Sequence, residues 1–130
     1  MNIEHVALQV PDPVAMADWY VQHLGCSIKR SAGEPSFVRF VMDGSGAAMV
    51  ELYHNPSVAL PDYRAMDPMM LHVAFVSANP QADRDRLVAA GATVEDPYTR
   101  TPAGDELVML RDPWGVALQL VKRTDPMLTR

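Results

Sequence analysis

His5, Glu51, His72 and Gln119 are side chains of types that bind metal ions and move protons, and their spacing makes them a set. His5-Val6-Ala7-Leu8 is echoed 67 residues later by His72-Val73-Ala74-Phe75. Met49-Val50-Glu51-Leu52-Tyr53 is echoed by Ala117-Leu118-Gln119-Leu120-Val121; His5 to Glu51 is 46 positions and His72 to Gln119 is 47. Two imidazoles, a carboxylate and an amide oxygen form a donor set that suits Zn, Ni, Co, Mn or Fe(II). A carboxylate between Val50 and Leu52 is costly to bury unpaired, and a cation would pair it with both imidazoles at once. The alternative is a solvated sheet face carrying ordinary surface residues. That is the better account of any one of the four alone; their matched repeat positions favour a site.

The elements that must carry these residues follow from periodicity and from turn chemistry. Ile3–Val10 alternates as a strand, with His5 on the side opposite Val6, Leu8 and Val10. Pro13 to about Leu24 reads as a helix with Asp12 as N-cap, Val14, Ala17, Tyr20, Val21 and Leu24 at helical spacing, and Gly25 as the stop. Strands are expected at Ser27–Ser31, Phe37–Met42 and Ala47–Tyr53, the last two joined by a turn at Asp43-Gly44-Ser45-Gly46. The order then repeats: a strand over Met70–Ser77, a helix from Asn79-Pro80 to about Ala90 ended by Gly91, and strands over Thr93–Tyr98, Glu106–Arg111 and Val116–Lys122. Each half is therefore β-α-β-β-β, and the fold class is α+β: two such modules in a cupped, mostly antiparallel sheet. We expect one domain built from module 1–55, a Pro-rich linker 56–68 and module 69–124, with a frayed tail at Met127–Arg130.

Composition narrows the function classes. In 130 residues, 48% are hydrophobic and 21% charged, which fits one globular domain with a substantial core. The net charge of -5 and the lack of a Lys/Arg cluster argue against nucleic-acid binding. No apolar run approaches the ~18–20 residues of a membrane span. With one cysteine, Cys26, and no signal-peptide pattern at the N-terminus, a cytoplasmic location is expected.

The chain resembles the vicinal oxygen chelate superfamily, which includes glyoxalase I, extradiol dioxygenases and the fosfomycin and bleomycin resistance proteins. The resemblance rests on the paired modules, on the His5-Val6-Ala7 and His72-Val73-Ala74 openings, and on Asp112-Pro113-Trp114-Gly115 leading into the strand of Gln119. It covers about Ile3 to Lys122. It implies a divalent metal that chelates two adjacent oxygens of a small-molecule substrate, ligands at His5, Glu51, His72 and Gln119, and a homodimer. Glyoxalase I is the most similar member, and it implies lyase or isomerase chemistry by proton transfer. In one respect the chain departs from it: Gln119 stands where glyoxalase I has a glutamate that shuttles the proton. Glutamine can ligate through its carbonyl oxygen but takes no proton at neutral pH, which leaves Glu51 as the catalytic base. The same change weakens a dioxygenase reading, and a metal-independent drug-binding protein is the alternative.

The remaining polar residues have plainer readings. His23 and His54 read as surface histidines at element ends, and Tyr53 as a cavity wall or packed aromatic. Arg39 and Arg111 read as solvated strand neighbours more readily than as anchors for an anionic substrate. Asp83-Arg84-Asp85-Arg86 reads as the wet face of the second helix, and Cys26 has no neighbourhood that would activate a thiol.

Overall fold

The computed structural model describes residues 1–128; the last two residues of the expected tail, Thr129 and Arg130, lie outside the described residues. The chain folds as two compact units, Met1–Pro61 and Asp62–Arg130. The first holds β1 (His5–Gln9), α1 (Pro13–Leu24), β2 (Ser27–Ser31), β3 (Arg39–Met42) and β4 (Met49–Tyr53). The second holds β5 (Val73–Val76), α2 (Pro80–Ala89), β6 (Thr93–Arg100), β7 (Glu106–Arg111) and β8 (Ala117–Lys122). The strands form two four-stranded sheets, ordered β1-β4-β3-β2 and β5-β8-β7-β6. In each, the outer pair β1/β4 or β5/β8 is parallel and the other pairs are antiparallel.

Local chemistry sets the helix ends. The Asp12 carboxylate accepts a hydrogen bond from the Ala15 N–H at 3.0 Å, Pro13 opens the first turn, and Gly25 at φ 69° stops α1 in the left-handed region that other residues avoid. Asn79 caps α2 in the same way, accepting from the Ala82 N–H at 3.2 Å. The buried residues of α1 are Pro13, Met16, Ala17, Trp19 and Tyr20; of the expected stripe Ala17 and Tyr20 are buried, Val14 and Leu24 are half-buried, and Val21 is 39% exposed. Met16 and Tyr20 are fully buried, worth about 1.5–3 kcal/mol for a side chain of Met size. Together with Leu8, Val41 and Leu52 they form the core of the first unit, where α1 packs against β2, β3 and β4. The second unit is built likewise, with Leu87 of α2 and Val108, Leu110, Leu118 and Leu120 of β7 and β8.

Five strands are shorter than the sequence predicts; β4 starts at Met49 rather than Ala47 and β8 at Ala117 rather than Val116. β1 starts at His5 rather than Ile3, which is 74% exposed. β3 starts at Arg39 because Phe37 adopts φ 48° in a turn whose N–H reaches the Gly33 carbonyl at 2.9 Å. β5 starts at Val73, since the preceding segment turns on itself through Met66 N–H to Asp62 O and Met70 N–H to Asp67 O. The turn after β3 forms as expected around Asp43, whose carboxylate accepts from Ser45 Oγ at 2.7 Å and from the Gly46 N–H at 3.0 Å. Burial opposes ionisation of Asp43, but the Ser45 hydroxyl and the N–H groups of residues 46–48 outweigh it and hold the carboxyl below its ordinary 3.8. Among the described residues, no helix is long and apolar enough to cross a membrane.

Candidate metal centre

The two units repeat one register. In the first, Ala7 of β1 lies opposite Glu51 of β4, and His5 stands two residues before Ala7. In the second, Ala74 of β5 lies opposite Gln119 of β8, and His72 stands two residues before Ala74. On the other side of each polar residue is an apolar neighbour: Phe40 opposite Glu51, and Met109 opposite Gln119. Side chains of paired residues share a sheet face. Glu51 therefore stands with Ala7 and Phe40, on the opposite face of β4 from the buried Leu52.

The structure brings His5 and Glu51 together. His5 Nε2 lies 3.3 Å from Glu51 Oε2, with side-chain exposures of 32% and 22%, so both are partly desolvated and still reachable by a ligand. The Phe40 ring meets the His5 ring edge-on, with centroids 5.3 Å apart and an interplanar angle of 82°. His5 Nδ1 lies 3.1 Å from Glu4 Oε2. Both ring nitrogens thus face a carboxylate oxygen, and because such an oxygen only accepts, a proton is favoured as much on Nε2 as on Nδ1. Either a proton on Nε2 or a cation held between the two groups satisfies the 3.3 Å contact. Two ligands each about 2.0–2.2 Å from one tetrahedral cation stand about 3.4 Å apart, so this pair fits a shared ion.

His72 stands one residue ahead of β5 rather than inside it, which corrects the expectation of a mid-strand position. Its Nδ1 lies 2.8 Å from the Pro68 carbonyl oxygen, which can only accept and so takes a hydrogen bond from a proton on Nδ1; in the neutral ring Nε2 then carries the lone pair. Histidines that ligate metals are commonly held by such a bond from the other ring nitrogen to a carbonyl or carboxylate. Gln119 is half-buried in β8. Among the described residues, no group of three or more His, Cys, Asp or Glu side chains is placed to hold a metal ion. The arrangement present is one His–carboxylate pair and, in the second unit, a histidine and an amide on adjacent chain segments.

Several minor residues depart from their sequence readings. Arg111 is no solvated neighbour: it is 6% exposed, pairs with both Glu95 oxygens at 2.7 and 2.9 Å, and donates to the carbonyls of Tyr63, Met66 and Gly115. Arg39 Nη1 serves the carbonyls of Ala32, Phe37 and Val38, which closes the loop between β2 and β3. His54 is half-buried, with Nδ1 3.1 Å from the Val10 carbonyl oxygen, and with Phe37 and Pro11 it lines a cavity of about 270 Å³. His23 packs against Trp19 with ring centroids 5.2 Å apart. Cys26 is buried, and burial, assisted by the charge of Asp43, pushes its thiol up to about 11. Gln9 was given no role by the sequence, yet it is 6% exposed and knits β1 to the segment after β4. Its Nε2 donates to Asn55 O at 2.7 Å and Val58 O at 2.8 Å, and its Oε1 accepts from the Asn55 N–H at 2.7 Å.

Comparison with known proteins bears on this arrangement. The family model described as "Glyoxalase/Bleomycin resistance protein/Dioxygenase superfamily" matches residues 2–120. The chain belongs to that superfamily. Among solved structures, it is similar to SMU.1112c, at 25% identity and a TM-score of 0.73, covering 94% of this chain and 98% of that one. It is also similar to a glyoxalase I variant from Zea mays, at 20% identity and a TM-score of 0.76, covering 95% of this chain and 46% of the maize chain. A third likeness is to TnmS3, an antibiotic-binding protein from Streptomyces sp. CB03234, at 20% identity and a TM-score of 0.70, covering 95% and 97%. No curated protein matches the chain by sequence. The superfamily fold is thus shared by glyoxalase I and by an antibiotic-binding protein, and the site residues must decide between such roles.

Proposed function

We propose that the chain is a divalent-metal-dependent enzyme of the glyoxalase type, which moves a proton on a small oxygenated substrate. The chain acts as one domain of two modules, with His5, Glu51, His72 and Gln119 as the ligand set. The second pair comes from the same chain or from the partner copy of a homodimer. What carries the reading is the 3.3 Å approach of His5 Nε2 to Glu51 Oε2.

His5, Glu51, His72 and Gln119 would hold a divalent ion, which when bound would supply Lewis-acid polarisation of two neighbouring substrate oxygens. Two neutral imidazoles, one carboxylate and one amide bring a single negative charge. Less of the cation's charge is therefore neutralised than in a set with two carboxylates, which favours negative charge developing on substrate oxygens. Glu51 is the proton-accepting member: it takes a proton from a carbon next to the polarised oxygens and returns it from the same carboxyl group. Gln119 offers a carbonyl oxygen and an NH₂ donor, and so orients the substrate without exchanging protons. Phe40 packs against the His5 ring and limits its rotation.

Metal analysis of the purified protein, with Glu51→Ala and His72→Ala for comparison, tests the reading. A divalent ion bound in the parent and lost from both variants is expected; unchanged content in both defeats it. A metal-independent small-molecule binding role is the second reading. The neutral Gln119 and the fold likeness to an antibiotic-binding protein favour it, and tight ligand binding indifferent to chelator would select it.

A further inference from the structure

We infer that Arg111 is a positioning residue for both candidate ligands of the second unit: it fixes the chain segments immediately before His72 and before the strand of Gln119. This rests on the ligand set proposed above. A guanidinium has five N–H donors in a rigid fork, and Arg111 commits them to main-chain oxygens on two segments. Its Nη1 donates to Tyr63 O at 2.6 Å and to Gly115 O at 3.1 Å; its Nη2 donates to Met66 O at 2.8 Å. Glu95 takes the remaining capacity through Nε and Nη2, at 2.7 and 2.9 Å. The group is 6% exposed and its bonds to Tyr63 O and Gly115 O are buried, so losing these leaves buried oxygens unpaired.

Both segments run directly into candidate ligands. Met66 O is held two residues before Pro68, the residue whose carbonyl sets the His72 tautomer. Between them Asp67 ties the turn, accepting from Met70 N–H through its carbonyl and from Met69 N–H through its carboxylate at 2.8 Å. On the other side, Gly115 closes the Asp112 turn, and Val116 leads into β8 and Gln119. The two segments are also clamped to each other: Arg64 Nη2 donates to the Pro113 carbonyl, and Gly115 lies against Arg64 with no space for a side chain. A strap over 62–71 is thereby locked onto the 112–115 turn, with Arg111 beneath both. A residue that served stability alone would have no reason to change the state of the His72 ring.

The test is long-range ¹H–¹⁵N spectroscopy of the histidine rings in the full chain at constant neutral pH, comparing the parent with Arg111→Lys. Lysine keeps the charge but has no fork to serve three carbonyls and Glu95 together. The parent His72 is expected in the Nδ1–H form. In the variant the ring is expected to become a mixture of tautomers, while His5, which belongs to the other unit, stays unchanged as an internal control. Co²⁺ affinity is expected to fall about 10–100-fold, the usual cost of losing support behind a metal ligand. If Arg111→Lys does not fold, Glu95→Gln, which spares the three carbonyl bonds, is expected to give a smaller change of the same kind. An unchanged His72 ring in a folded variant overturns the inference. If the parent binds no Co²⁺, the proposed function fails, and the His72 spectrum still decides the role of Arg111.

Discussion

Gln9 offers a sharp test of how the first unit is held together. Its amide makes three hydrogen bonds to main-chain groups 46 to 49 residues away, which fasten the end of β1 to the segment leaving β4. Gln9→Ala removes all three and strands two carbonyls and one N–H. At about 0.5–1.5 kcal/mol net per bond the sum is about 3 kcal/mol, and water reaching the exposed Asn55 and Val58 lowers it to about 2 kcal/mol. For a chain of 130 residues that corresponds to a fall in melting temperature of about 6–10 °C. Gln9→Glu sharpens the test, because it keeps an acceptor for the Asn55 N–H but turns a carboxylate toward two carbonyl oxygens. The loss should exceed that of the alanine variant at pH 7. The folded state raises the pKa of that carboxyl, so the damage should shrink below about pH 5, where the protonated group can donate again. Urea unfolding followed by tryptophan fluorescence reads the effect, with Trp114→Phe in the background so that Trp19 in α1 reports on the first unit. A Gln9→Ala loss under 0.5 kcal/mol, or a Gln9→Glu variant as stable as the parent at pH 7, would refute the reasoning.

Other outcomes follow from the same structure. Glu95 is held below its ordinary 4.5 chiefly by its hydrogen bonds from Arg111, and Asp105 below 3.8 by Arg123 and the Thr124 N–H. Because the folded values are depressed, the stability they contribute is full above the ordinary values and drains as pH falls through the folded ones. Urea midpoints between about pH 6 and pH 2 should decline, and Glu95→Gln should flatten that decline; an unaltered acid limb counts against the pairing. Cys26, with its thiol pushed up to about 11, should resist thiol reagents at pH 8 in the folded protein and react on unfolding, so prompt labelling of the folded chain would contradict its burial. Gly115→Ala should cost about 1–3 kcal/mol, because Gly115 sits at φ 93° and an added Cβ would run into the Arg64 side chain and come within 3.1 Å of its backbone nitrogen. A melting temperature equal to the parent's would show that the strap is not locked there.

The elements with strong local signals were legible from residue types. Asp12 and Pro13 at one end and Gly25 at the other carry the ends of α1, and β2 and β7 run over the expected residues because turn residues bound them sharply. The repeat itself was also visible, since His5/Glu51 and His72/Gln119 occupy matching register positions. Illegible were features that depend on distant main-chain groups. Nothing in Gln9 or Arg111 announces that carbonyls 45 to 49 residues away need donors. The start of β5 differs because Met70-Leu71 reads as apolar strand, whereas turn bonds to Asp67 take up the backbone there; Met69 and Met70 are 77% and 76% exposed. That His5 and Glu51 stand on the faces away from Val6 and Leu52 is inferable from alternation, but the contacts of His5 with Glu4 and of His72 with Pro68 O emerge only in the fold.

An anomalous-scattering map from crystals grown with Co²⁺ or Zn²⁺ tests the central claim most directly. The account predicts a peak within about 2.0–2.2 Å of both His5 Nε2 and Glu51 Oε2. His72 Nε2 and Gln119 Oε1, from the same chain or a second copy, should complete its shell. Density elsewhere, or a His5–Glu51 pair that stays empty at saturating metal, would contradict it.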